Sequence, residues 1–504
     1  MCIFAQLFTC RIMKRNAITK LMLTALMVVL CFNGQVFGKN VDLKSAQKAG
    51  AYFLSCVRGE KSYDAEAAKL VYEVRNPLLN VSAAYLFNVA DKGFVVVAGS
   101  DCADPIIAFS DKDTLDVNNM APAFKWWVEG MSRSIMDMQN NELEADKETI
   151  KEWNELFSEE MPVMEGSKEN VELNFPEKWD QVYPYNLYSP ILWGEQCPAG
   201  CVATAIGQIM HYYRFPSEGK SVKPFRWPYT TSTNPNAPVQ YESMTVRFSD
   251  SVFNYDLMPN SLTNRPNVPM DQKYEVCHLL LNVGLAVGMN YTPDGSGAVS
   301  QYVPSNINKY FGYPMSNYIT RNRYSDDDWV NAIKTEIDNG RPVYYDGTDP
   351  QGGGRDAAGH AFVCYGYRVA STIKYFAFNW GWGGSSDCYC NMRASNLTAG
   401  YYNFSVDHGA IINLEKPEEA ITDVNASDQL YAAYPNPASA YITIPYTLRS
   451  QKNAEMQILS VDGRVVETIR LTSDKGEVKV NVSKYPHGVY LYRYNGHSNK
   501  FIVR

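Results

Sequence analysis

The stretch EQCPAGCVATAIGQIMHYYRFP, residues 195–216, decides how the chain is read, because it sets two cysteines four positions apart at the mouth of a helix. Val202, Ile206, Ile209, Met210 and Tyr213 repeat at the spacing of one helical face, and Pro216 stops the run. Ala203, Ala205 and Gly207 keep the other faces small, as a helix packed on several sides requires. Pro198 and Gly200 suit the turn before it, so Cys201 falls in the first turn. There the free N–H groups and the positive end of the helix dipole favour a thiolate, the nucleophilic form of cysteine. Cys197 lies outside that turn and gains less.

A thiolate nucleophile needs a base within hydrogen-bond reach, and the chain has 6 histidines. His211 lies on the same helix, about 15 Å away by rise alone, and cannot reach. His278 sits within the apolar run from Val276 to Leu281 and reads as a core histidine. His408 precedes the last apolar run of the central region, and His487 and His497 belong to the C-terminal region. His360 remains, in DAAGHAFVCYGY (356–367), a small-residue loop entering a buried strand. Further on, FNWGWGG (378–384) offers Asn379 as an acceptor that fixes the imidazole tautomer, with Trp380 and Trp382 to shield that bond. On chemistry alone, an unrelated core cysteine and loop histidine fit these residues equally well. The Gly352-Gly353-Gly354 run lacks a Lys-Ser/Thr pair and reads as a flexible substrate-side loop, not a phosphate cradle.

With 504 residues the chain is too long for one core, and about two to four domains are expected. Its net charge of -8, with no basic block, argues against a nucleic-acid or anionic-membrane partner. Lys14, Arg15 and Lys20 precede an apolar run from Leu21 to Phe32 and a small-residue exit at Val36-Phe37-Gly38, the pattern of a secretory signal peptide over residues 1–38. Met13 is an alternative start, and a retained anchor helix is the weaker reading of the same run. The spacings Cys197-x3-Cys201 and Cys388-x-Cys390 miss the usual structural-zinc pattern, so no metal and no cofactor are expected.

Residues 39–165 read as a small α+β unit. AAYLFNVADKGFVVVAGS (83–100) is a hairpin around Asp91-Lys92-Gly93, and Phe124, Trp127, Val128, Met131, Ile135 and Met138 form a helical stripe. Glu159 to Asn174 is charged and poorly patterned, an exposed linker open to proteolysis. Residues 166–418 make the largest region, with a second helix from Tyr274. Residues 425–504, beyond the acidic EKPEEAITD, alternate in short runs such as AYITIPYTL and GVYLYRYNG, the pattern of a β-sandwich.

Taken together, KWDQVYPYNLYSP, AGCVATAIGQIMHYY, NVGLAVGMNYTPDGSGA, KYFGY, GRPVYYDG, GHAFVCYGY and FNWGWGG resemble, in order, the streptopain family of secreted papain-like cysteine peptidases. The resemblance implies an α+β papain-like domain with Cys201 as nucleophile, His360 as general base, and Asn379 and Trp380 supporting the histidine. It also implies that Gln181, in WDQ, joins the Cys201 N–H in the oxyanion hole. The family's namesake carries His where this chain has Gly200, and Gly where it has Ala358. Residues 39–165, with GFVVVAGSD and PIIAFSDKDTLD, resemble the family's inhibitory propeptide. The tail, with YPNPAS, SVDGRVV, PHGVYLYRY and KFIVR, resembles a type IX secretion sorting domain. The implied partners are protein and peptide substrates, the chain's own propeptide as inhibitor, and the outer-membrane secretion machinery; the implied location is outside the cell or on its surface. The rival readings are a Cys/His amidase acting on cell-wall peptides and a non-catalytic surface-binding protein.

Overall fold

The computed structural model describes residues 39–90, 92–159, 170–263, 267–348, 359–393, 407–417, 429–448, 454–461, 463–471, 473, 475–494 and 497–504. The expected signal peptide, Asp91, most of the linker after Glu159, the Gly352–Gly354 loop with Ala358, and most of the acidic segment after Glu415 lie outside these residues. The chain divides into two compact units, Met1–Glu415 and Lys416–Arg504.

Helix α1 (Leu43–Val57) opens the first unit, capped by Asp42, whose side chain accepts from the Ser45 N–H. It comes so close to the sheet that a Cβ at Gly50 would stand 2.8 Å from Val95 Cγ1. A meander follows: β1 (Ala68–Asn76), β2 (Val81–Val89), β3 (Phe94–Ala98) and β4 (Ile106–Ser110). β2 and β3 are the expected hairpin, with Asn88 opposite Phe94 and Gly93 at φ 87° in the turn. Helix α2 (Pro122–Asn140) buries Phe124, Trp127, Val128, Ile135 and Met138 of the predicted stripe, and Trp126 as well. Helix α3 (Lys147–Ser158) is capped by Asp146.

The next segment carries β5 (Val171–Glu172) and the short hairpin β6 (Ile191–Leu192) and β7 (Glu195–Gln196), then the quoted helix, α4 (Cys201–Tyr213). A hairpin of β8 (Val222–Tyr229) and β9 (Gln240–Arg247) precedes α5 (Met270–Val287), the helix expected from Tyr274. Gly207 lets α4 and α5 meet closely, since a Cβ there would be 2.7 Å from Leu280. After α6 (Val303–Phe311) come β10 (Asn317–Thr320), α7 (Asp326–Asp338), β11 (Val343–Gly347), β12 (His360–Ala370), β13 (Ile373–Asn379), β14 (Cys388–Asn391) and β15 (His408–Ile412).

These strands make one sheet in the order β1-β2-β3-β4-β14-β13-β12-β11-β15-β10, with β5 paired to β12. The N-terminal meander therefore continues the central sheet: β4 pairs with β14, Phe109 opposite Tyr389 and Ala108 opposite Cys390. The linker expectation fails at its downstream end, where Glu172 pairs with Gly366 and Val171 with Tyr367. A charged residue at a sheet edge is tolerated because its side chain reaches solvent while its backbone completes the ladder.

The second unit packs β16 (Gln429–Leu430), β17 (Tyr441–Thr447) and β20 (Lys475–Asn481) in one sheet, and β18 (Glu455–Ser460), β19 (Val465–Arg470), β21 (Gly488–Tyr494) and β22 (His497–Val503) in another. Ile442, Ile444, Met456, Ile458, Tyr492 and Phe501 fill its core. The α+β fold with a C-terminal β-sandwich is the fold class expected from the sequence.

Candidate active site

Cys201 is the first residue of α4, as its spacing requires. Gly200 caps the helix at φ 94° and ψ 141°. A side chain at 200 would need that left-handed backbone and would come within 2.8 Å of Met289 Sδ and of the Ser296 carbonyl, so the chain accepts only glycine there. Ala199 N–H donates to the Gln181 carbonyl at 2.8 Å, tying the WDQ segment to the turn that presents the cysteine.

Two effects oppose each other at the Cys201 thiol. N–H groups of Ala361, Val202 and Cys201 itself favour the thiolate, but burial outweighs them and holds the thiol above its ordinary pKa, with the Asp346 carboxylate adding to the rise. The helix-end position is therefore as predicted, whereas the low pKa expected from it is absent in this state, because desolvation costs a charge more than one helix terminus returns.

His360 begins β12, opposite Gly347. Its neighbour Ala361 offers the N–H that reaches the thiol. Successive side chains on a strand point to opposite faces, and here the two faces differ. Phe362 meets Trp126 and Trp127 from α2, with ring centroids 6.4 Å apart in each case. The His360 ring lies on that same side, 5.8 Å from Trp126. Ala361, Val363 and their cross-strand neighbours Asp346 and Asn379 belong to the other face, against α4. The backbone at 360–361 thus touches the nucleophile candidate while the imidazole is turned toward the N-terminal helix.

Asn379 is fully buried and held by three bonds: its Nδ2 donates to the Glu177 carbonyl at 2.6 Å, and its Oδ1 accepts from Gln208 Nε2 at 3.1 Å and from the Gly381 N–H at 2.9 Å. Gln208 Oε1 in turn accepts from the Trp179 N–H at 3.1 Å. Asn379 is thereby positioned by α4, on the face away from the His360 ring. Trp380 donates from Nε1 to the Ser386 carbonyl at 2.8 Å and packs on Phe362, 4.7 Å between centroids, and on Phe124 and Trp127 from the N-terminal part.

His211, His278, His408 and Cys197 fit structural roles. His211 bridges Glu177 at 2.7 Å and the Met258 carbonyl at 2.9 Å. His278, half-buried against Phe253, is driven toward its neutral form by burial. His408 is buried beneath Trp126 and Trp127 and bonded to Tyr345, and burial pulls its pKa down to about 3. Cys197 is fully buried, its thiol pushed up to about 11 by desolvation. Among the described residues, no group of three or more His, Cys, Asp or Glu side chains could hold a metal ion. Sequence reasoning missed Trp126, which falls off the helical stripe, and Asp346 and Gln208, which meet the site only through tertiary contacts.

Three segments of the chain match known protein families. Residues 179–390 match the Peptidase C10 family, residues 38–135 the Spi protease inhibitor family, and residues 432–504 a secretion system C-terminal sorting domain. The chain is 29% identical over 422 residues to the Thiol protease/hemagglutinin PrtT of Porphyromonas gingivalis, covering 79% of this chain and 44% of that protein. It therefore spans less than half the length of that relative. It is 29% identical over 336 residues to streptopain of Streptococcus pyogenes, covering 64% of this chain and 76% of that one. A fragment of Prevotella intermedia prointerpain A, residues 39–359 of that protein in mutant form, superposes with a TM-score of 0.53 at 25% identity, covering 69% of this chain and 99% of the fragment.

Proposed function

Because its central domain belongs to the Peptidase C10 (streptopain) family, we propose that this chain is a secreted cysteine endopeptidase zymogen: residues 39–165 an inhibitory propeptide, 166–418 the peptidase and 425–504 the sorting domain. In the reaction, the Cys201 thiolate attacks a peptide carbonyl, and the oxyanion forms between the Gln181 side-chain amide and the Cys201 N–H. His360 delivers a proton to the leaving amine and then takes one from the water that hydrolyses the acyl-enzyme. Asn379 fixes the imidazole once it has swung to the Cys201 face, and Trp380, the next residue, supports the histidine's strand from the α2 side.

The observation that carries this reading is the two-faced β12 strand. Cys201 meets the backbone of 360–361 on one side, while Trp126 of the N-terminal part packs at 5.8 Å against the His360 ring on the other. The full-length chain is then latent because its base is engaged by the propeptide, and cutting between about 160 and 174 frees it. The substrates are proteins and peptides, the propeptide inhibits its own chain, and the tail delivers the enzyme across the outer membrane.

The test uses the full chain. Wild-type protein should shorten by the propeptide mass on incubation. Cys201→Ala should stay at full length when purified alone, be trimmed when active enzyme is added, and lose activity by at least about 10⁴-fold. Cys197→Ala should keep most activity, its thiol being a core group. Self-shortening of Cys201→Ala at the wild-type rate, with no other protease present, would overturn the assignment.

A further inference from the structure

The buried pair of Glu177 and His211 takes no part in proton transfer to substrate, yet it holds the segment on which two supporting groups depend. His211, on the last turn of α4, sets both ring nitrogens against acceptors: Nδ1 is 2.7 Å from Glu177 Oε1, and Nε2 is 2.9 Å from the Met258 carbonyl. A neutral imidazole has one N–H and can satisfy only one of them. The second hydrogen bond needs one more proton, carried on the ring beside a carboxylate or on the carboxyl itself. Among the described residues, Glu177 Oε2 has no hydrogen-bond partner, so the side chain is held through its contact with His211.

Few other charges reach the pair. The Trp179 and Tyr255 rings cover the imidazole, with centroids 5.2 and 6.2 Å away. Burial keeps the Tyr255 phenol neutral, well above its ordinary pKa. Arg214 lies 6.0 Å over the Tyr255 ring and pairs with Asp256, and Glu275 also bears on that phenol. Tyr212, next to His211 on α4, feels the Glu177 charge and is itself held neutral by burial.

Residues 173–180 form no helix or strand, so side-chain contacts help to set their place. Three contacts fasten this segment to α4 and β13. His211 grips the Glu177 side chain, Gln208 Oε1 accepts from the Trp179 N–H at 3.1 Å, and the Glu177 carbonyl accepts from Asn379 Nδ2 at 2.6 Å. Gln181 follows two residues after Trp179. We propose that Glu177 and His211 are positioning residues of the peptidase: the proton they share keeps the Glu177 carbonyl on Asn379 and fixes the segment that ends in Gln181. The inference rests on the peptidase reading above and deepens it. Loss of that proton as pH rises sets a bare ring nitrogen against an oxygen, and the buried repulsion pushes the segment away from α4. The support is therefore present while the pair is protonated and fades on the alkaline side.

Matured enzyme tests it, with kcat expressed per active site counted by an irreversible peptidyl inhibitor, so that misfolded protein drops out. Glu177→Ala should lower kcat about tenfold, the scale of a small misplacement of supporting groups, and leave KM within about twofold. In Glu177→Gln the amide N–H donates to Nδ1 and a neutral His211 donates from Nε2 to Met258, so no extra proton is needed. That variant should regain most of the loss. Its kcat relative to wild type should rise between about pH 6 and pH 9, because wild type alone depends on the shared proton. An unchanged kcat in Glu177→Ala, a loss that appears in KM instead, a Glu177→Gln variant as impaired as Glu177→Ala, or a ratio flat in pH overturns the proposal. In those cases wild-type cleavage that Cys201→Ala abolishes leaves the peptidase reading standing; a wild type that cleaves nothing removes both.

Discussion

The two faces of strand β12 are built from different materials, and the difference describes how one fold can be both assembled and silent. Toward α4 the strand shows Ala361 and Val363, with Asp346 and Asn379 beside them, small or polar groups held by named hydrogen bonds. Toward α2 lie His360, Phe362 and, on neighbouring strands, Tyr345 and Phe378, with Trp380 just past the end of β13, packed against Trp126 and Trp127. The first face is finished before maturation. The second is completed by the aromatic side chains of Trp126 and Trp127 in α2; under the proposed function these leave with the propeptide, and latency is a packing arrangement at the base that leaves the nucleophile's helix intact.

If that contrast is right, the strongest lever on latency is an aromatic one. Trp126→Ala should destabilise the precursor by about 3–5 kcal/mol, the usual cost of removing a buried indole. It should also speed shortening by added active enzyme. The mature enzyme made from it should match wild type in kcat/KM, because residue 126 is no longer present. Melting of the precursor, its processing time course and the kinetics of the product check these three statements. Unchanged processing would place latency elsewhere.

The α4 face is tested by Gln181→Ala, which should lower kcat by about a hundredfold with KM little changed, since the amide acts chiefly once the oxygen carries charge. Steady-state kinetics on the mature enzyme decide it, and an unchanged kcat would assign Gln181 to the turn at Ala199 alone. A smaller effect belongs to Gln208→Ala. It removes one donor from Asn379 and leaves the buried Trp179 N–H without its acceptor. The expected loss is about 1–3 kcal/mol of stability, read by chemical denaturation. No loss would mean that the buried amide network is replaced by water without penalty.

The helix bearing Cys201, the hairpin at Gly93, the stripe of α2 and the alternating strands of the second unit were all legible in sequence, because each is a local pattern of apolar spacing and turn residues. The site candidates were legible too, as motifs. What stayed hidden depends on contacts between distant segments. Trp126 sits beside the stripe residue Trp127 and is buried against His360, Phe362 and His408, which lie far away in sequence. β5 pairs through its backbone, on which side-chain pattern is silent. Asp346 and Gln208 acquire meaning from residues 15 and 171 positions away, Ala361 and Asn379. The net effect on the thiol stayed hidden for the same reason: the N–H groups at the helix end do favour the thiolate, but burial, which is not a local property, outweighs them.

Alkylation of Cys201 as a function of pH tests the central claim most directly, that the precursor keeps the imidazole off the thiol. A thiol held above its ordinary pKa is neutral at pH 7, and its reactive thiolate fraction rises about tenfold per pH unit until that raised value is passed. A cysteine paired with an imidazolium is already thiolate well below pH 7. Intact-mass spectrometry on a partly processed sample reads both forms together, with digestion to locate the label. The mature form should be labelled readily at pH 6, while the precursor should label slowly there and keep accelerating beyond pH 8. Equal labelling of the two forms at pH 6 would mean that His360 already serves Cys201 in the precursor, and the account of latency would fall.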